Sequence, residues 1–122
     1  MMNFTRIRFS EEASDELKRM KGKTGLTPNI LCRIGFCLSL NDPAMPNPED
    51  YGTTGDKEID RKVLLGSYDK LFVALLTERC RNDDIDEAAI FDHFKAHMNR
   101  GVLLLAKRVG NIKDLAQLVP AA

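Results

Sequence analysis

Residues 4–40, FTRIRFSEEASDELKRMKGKTGLTPNILCRIGFCLSL, change their hydrophobic period partway, and that change limits the fold more than any other feature. Phe4 to Phe9 alternates, with Thr5, Ile7 and Phe9 on one side and Phe4, Arg6 and Arg8 on the other. Period two predicts a short strand with Ile7 and Phe9 inward and both arginines outward. Ser10 ahead of Glu11 and Glu12 is an N-cap signal, with acids suited to the positive end of a helix dipole. Ala13, Leu17 and Met20 then form an apolar stripe at helical spacing. Gly22 and Gly25 bracket a turn. Thr27 and Pro28 restart a helix, threonine as N-cap and proline in the first position, where its missing N–H costs nothing. That helix, Asn29 to Leu40, is apolar almost all round, so it is central to the fold or to a subunit interface. The strand is too short to stand alone and needs a partner, the same strand of a second subunit being one option.

The remainder is mostly helical. Asn41 to Asp56 holds three prolines and two glycines and reads as a long loop, either functional or mobile. Lys62 to Leu65 reads as a short strand. Ser67 to Arg81 reads as a helix with Leu71, Phe72, Leu75 and Leu76 inward. Asp86 to Asn99 reads as another, with Ala89, Ile90, Phe94 and His97 or Met98 inward, punctuated by Gly101. Val102 to Arg108 and Ile112 to Leu118 read as two shorter helical segments separated by Gly110 and Asn111. The expectation is one domain over residues 1–122, mainly α with minor β, of a size that buries a core without disulfides.

Formal net charge is zero, but its distribution is uneven. Residues 18–40 carry five bases and no acid, residues 41–99 are acidic, and residues 100–122 carry four bases and one acid. A neutral chain of this kind can still present one basic face. Lys18, Arg19, Lys21 and Lys23 are the leading candidates for DNA contact, since such side chains neutralise phosphates and release counterions. Part of that clustering also suits the C-terminal end of a helix dipole. Thr27, Asn29 and the free N–H groups at the start of the second helix form a candidate phosphate site or a simple cap. Arg6 and Arg8 either read bases from a two-stranded ribbon or serve backbone and structural roles.

Other chemistries find little support. Gly22-Lys23-Thr24 lacks the earlier glycine of a phosphate-binding loop, because position 17 is Leu17. Cys32 and Cys37 are five apart, Cys80 is distant, and no metal-binding spacing is present. His93 and His97 are four apart, without a zincin glutamate or an evident third ligand. No cofactor, metal or catalytic set is expected. An odd cysteine count, no apolar run near 20 residues and an N-terminus without a signal core predict a cytoplasmic protein with no membrane span.

Three blocks carry a resemblance: GLTPNILCR (Gly25 to Arg33), GSYDKLFVALL (Gly66 to Leu76) and HMNRGV (His97 to Val102). In these the chain resembles the DndE family, the small subunits of bacterial DNA phosphorothioation systems, in which sulfur replaces a non-bridging oxygen of the DNA backbone. The resemblance implies a ribbon-helix-helix-like (Met-repressor-like) N-terminal core followed by a C-terminal helical region. It also implies DNA binding, self-assembly into a dimer or tetramer, and work beside a sulfurtransferase-like protein and an ATPase without performing the sulfur chemistry. The expected function is a DNA-binding accessory subunit that grips the backbone with weak sequence preference. The rival readings are a ribbon-helix-helix transcriptional repressor and a scaffold that binds only protein.

Overall fold

The computed structural model describes residues 2–109. Its elements are β1 (Arg6–Arg8), α1 (Glu11–Thr24), α2 (Pro28–Asn41), β2 (Glu58–Asp60), α3 (Arg61–Leu65), α4 (Asp69–Asn82) and α5 (Ile90–Arg108), with single 3-10 turns before β2, α4 and α5. The expected helical segment over Ile112 to Leu118, with the break at Gly110 and Asn111, lies outside the described residues.

The first forty residues fold largely as their pattern demands. Ile7 and Phe9 are buried, while Arg6 and Arg8 are exposed. Ser10 accepts the Ala13 N–H at 3.1 Å and caps α1. Ala13, Leu17 and Met20 are fully buried. Gly25 ends α1 in the left-handed region at φ 76°, where a glycine avoids the Cβ penalty. β1 finds its partner within the chain. It pairs antiparallel with β2 in the register Arg6 to Asp60, Ile7 to Ile59 and Arg8 to Glu58. The strand–helix–helix order of a ribbon-helix-helix protein is present, but the ribbon is built from one chain rather than shared with a second subunit.

α2 and α5 form the centre, and their backbones touch. A Cβ on Gly101 would sit 2.1 Å from the Gly35 carbonyl oxygen, and one on Gly35 would sit 2.6 Å from the Gly101 carbonyl carbon. Gly101 therefore does not end a helix. α5 runs through it unbroken from Ile90 to Arg108, contrary to the expected stop near Asn99. Around this contact Phe36 packs on Phe72 and Phe94, with ring centroids 5.5 and 5.6 Å apart.

Two further expectations are corrected. Lys62 to Leu65 is helical, within α3, and the second strand lies just before it, because β2 is placed by its pairing with the distant β1 of the same chain rather than by its own apolar content. On α4 only Phe72 and Leu76 of the four expected inward residues are buried; Leu71 and Leu75 are 52% and 40% exposed.

The long loop is tied down by two arginines. Arg79 donates to the carbonyls of Leu40 and Asp42, both at 2.7 Å, and of Ala44 at 3.0 Å, while its Nε bonds Asp83 at 2.9 Å. Arg100 donates to Ser39 O at 2.8 Å, Ser39 Oγ at 2.8 Å and Ala44 O at 2.6 Å. The carbonyls that a helix end leaves without partners are thus gathered by two guanidiniums, as the negative end of the α2 dipole favours.

His97 completes this network. It is fully buried, and its Nδ1 lies 2.8 Å from Ser39 Oγ. Ser39 Oγ accepts from Arg100 and shares a hydrogen bond with Nδ1, while Nε2 has no partner among the described residues. Burial first, then the nearby Arg100 and Arg79, push the His97 pKa from 6.5 down to about 3. The folded state therefore holds the neutral ring and the unfolded chain protonates more readily. Stability from this group is complete above pH 6.5 and is lost as pH falls toward 3, at about 1.4 kcal/mol per pH unit. Urea midpoints followed from pH 7 downward should decline across that window, and His97→Gln, which cannot ionise, should flatten the decline.

Candidate nucleic-acid interface

The sequence places four bases on the last two turns of α1, and the structure separates their roles. At 100° per residue, Lys18 and Lys21 lie on one flank of the helix and Arg19 and Lys23 on the other, with Gly22 between them. Lys18, Lys21 and Lys23 are exposed and form no ion pair among the described residues. Arg19 differs. It makes a forked contact with Glu16 at 2.9 and 2.6 Å and donates to the carbonyl of Ala106 at 3.1 Å. It ties the end of α1 to the last turn of α5.

That tie brings in two residues missed as candidates. Lys107 and Arg108 follow Ala106 at the end of α5, and both are exposed. Basic residues thus stand at the C-terminal ends of two helices that the Arg19–Ala106 contact joins. The signal was present as the excess of bases after residue 100, but only the packing of α5 on α1 shows that it joins the earlier cluster. Both helix ends also present carbonyls, so neighbouring cations suit the dipoles as well as any phosphate.

The start of α2 is less open than its sequence suggests. Thr27 occupies the N-cap position of α2 as expected, but its side chain makes no capping bond; its hydroxyl donates to Asn29 Oδ1. The Ile30 and Leu31 N–H groups both bond Thr27 O at 3.1 Å, so these two first-turn donors already have an acceptor. Asn29 and Arg6 share the edge of a small cleft of about 380 Å³ with Lys57, but Glu58 and Asp60 line it too.

Those acids engage the strand arginines. Arg6 pairs with Glu58 at 3.0 Å and Asp60 at 3.5 Å; Arg8 pairs with Glu58 at 2.9 Å and donates to Gly55 O at 3.0 Å. The outward face of the ribbon is a cross-strand charge ladder, not a row of free cations. The Arg19–Ala106 contact sets the end of α5, with Lys107 and Arg108, against the flank of α1 that carries Arg19 and Lys23, while Lys18 and Lys21 lie on the other flank and Arg6 and Asn29 line the cleft beside β2.

The thiols and imidazoles show no activation. Burial raises the pKa of Cys32, Cys37 and Cys80, which keeps each protonated. Among the described residues no group of three or more His, Cys, Asp or Glu could hold a metal, and no helix is long and apolar enough to cross a membrane.

Comparison with known proteins adds the family. A family model described as DNA sulphur modification protein DndE matches residues 6–113. No curated protein sequence matches. Among solved structures, DndE from Escherichia coli B7A, described as involved in DNA phosphorothioation modification, is 27% identical, with a TM-score of 0.71 over 86% of this chain and 99% of that one. A double glycine-to-lysine mutant of DndE, described as involved in DNA phosphorothioation, is 25% identical, with a TM-score of 0.68 over 85% and 99%. With the match spanning β1 to beyond α5 and the mainly helical fold with its two-stranded sheet in common, the chain belongs to the DndE family of DNA sulphur modification proteins.

Proposed function

We propose that the chain is a DNA-binding accessory subunit of a DNA phosphorothioation machinery. It holds the DNA backbone for partners, a sulfurtransferase-like protein and an ATPase, and carries out no sulfur chemistry itself. The observation that carries this reading is the group of exposed lysines without ion-pair partners among the described residues, Lys18, Lys21 and Lys23, beside Lys107 and Arg108. Cations on flexible stems at two helix ends suit phosphates at variable positions better than they suit base edges. The pairing of Arg6 and Arg8 with Glu58 supports weak sequence preference, because the residues placed to read bases are already engaged.

Self-assembly would multiply this surface. Leu71 and Leu75 are exposed on α4 and Tyr68 in the turn before it, at helical spacing, and Val63 and Ile30 are exposed on α3 and α2. An outward apolar stripe of this kind supports a homo-oligomer, a dimer or tetramer, formed through helices rather than through the strand. The binding test uses two duplexes of unrelated sequence, titrated by fluorescence anisotropy. The combined variant Lys18→Gln, Lys21→Gln, Lys23→Gln should weaken both by the same factor, about tenfold or more at low salt. Loss of binding to one duplex alone would point to base readout instead.

A further inference from the structure

We infer that the cleft at the N-terminal end of α5 docks a basic, aliphatic peptide segment of another protein. The cleft has a volume of about 980 Å³ and lies between residues 2–4, α4 and the turn into α5. Phe4, Val73, Ile85, Ile90 and Phe91 form its apolar walls, and the rings of Phe4 and Phe91 stack at 5.2 Å. It is as large as the largest small-molecule sites, roughly 1,000 Å³, and carries its charged residues, Arg81, Asp84 and Glu87, at the α4 end and the turn into α5 rather than on the apolar walls. Its one hydroxyl, on Thr77, already bonds the Val73 carbonyl at 2.7 Å. Aliphatic side chains match such walls.

The charge at the edge sets the sign of the partner. Asp84 lines the cleft and is exposed, and exposed Asp86 follows it two residues on in the turn into α5. The one basic lining residue, Arg81, bonds Glu78 at 3.1 Å. Asp84 sits at φ 59°, where Asp84 N–H bonds Arg81 O and Ile85 N–H bonds Cys80 O to close the end of α4. A glycine takes this left-handed position at lower conformational cost, so what aspartate adds is a carboxylate at the cleft edge. Lysine or arginine flanking the aliphatic residues complements that edge. The cleft and the Lys107–Arg108 pair lie at opposite ends of α5, about 27 Å apart along its 19 residues, so a docked partner leaves the basic surface open.

The test pans a display library of random linear peptides against the full chain and titrates an enriched peptide by anisotropy. Enriched peptides should combine Leu, Ile or Phe with Lys or Arg. Ala88→Trp, which fills the exposed rim, should weaken the peptide about tenfold or more. Asp84→Asn, which keeps the left-handed backbone and removes the charge, should weaken it several-fold at low salt and less at high salt. Neither should alter duplex binding, which separates this inference from the DNA reading. If Ala88→Trp fails to fold, the Asp84→Asn salt dependence decides. No such enrichment, or equal binding by the variants, overturns the inference. So does a photoreactive side chain at position 88 of the chain alone that crosslinks to residues 110–122 or to a second copy, because the cleft then has an occupant of its own.

Discussion

Gly101→Ala is expected to lower folding stability by about 3 kcal/mol, whereas Gly22→Ala, the same chemical change in another helix, is expected to raise it by about 0.5–1 kcal/mol. The added methyl at position 101 meets the carbonyl oxygen of Gly35 at 2.1 Å and the backbone nitrogen of Phe36 at 2.7 Å. Neither is a flexible side-chain tip, so α2 and α5 must separate, and the packing of Phe36 on Phe72 and Phe94 loosens with them. At position 22 nothing lies within 4 Å, and the methyl only improves helix propensity. Urea denaturation of the two variants beside the parent chain reads both signs. A Gly101→Ala variant within about 0.5 kcal/mol of the parent would contradict the close α2–α5 contact.

Arg79→Ala is expected to cost about 3 kcal/mol, chiefly through what it leaves behind. The side chains of Arg79 and Asp83 are only 11% and 16% exposed, so removing the guanidinium strands a largely buried carboxylate. It also strips donors from the carbonyls of Leu40, Asp42 and Ala44. Arg79→Lys should recover little, because one ammonium cannot reproduce a fork that serves Asp83 and several carbonyls together. The control is Arg81→Ala two residues on, whose exposed pair with Glu78 should be worth less than about 1 kcal/mol. Equal losses from the two variants would mean that the α2 end is held by something other than this clamp.

The local elements of the fold were legible where the signal is local. Ser10, the stripe Ala13, Leu17 and Met20, and Pro28 give α1 and α2 within a residue or two, because caps and helical period act within one turn. What failed depends on residues far apart in the chain. Gly101 looks like a stop because a lone glycine in a helical pattern carries no mark of the backbone it meets, here Gly35 on another helix. β2 has one inward residue, Ile59, and exists because β1 lies beside it. Leu71 and Leu75 share the apolar character of Phe72 and Leu76, so composition alone cannot say which face of α4 is covered.

The same limit shaped the candidate site. The lysines of α1 were legible as a charge cluster, but Arg19 belongs to the packing, through Glu16 and Ala106, and only that packing sets the end of α5, with Lys107 and Arg108, against α1. The blocks that carry the family resemblance largely hold the fold together. Arg33 donates to Leu64 O at 2.8 Å and lies over the Tyr68 ring at 5.6 Å, and Gly101 meets Gly35. They explain why the family is recognisable, while the proposed grip lies beside them on residues with fewer structural duties.

That grip is electrostatic, and its most direct test is the salt dependence of binding to a duplex of arbitrary sequence. The slope of log K against log salt falls by about 0.9 for each phosphate contact removed. The triple variant of Lys18, Lys21 and Lys23 should therefore bind with a slope shallower than that of the parent by between about 1 and 3. Identical slopes and affinities for parent and variant would contradict the assignment of DNA backbone binding to this surface.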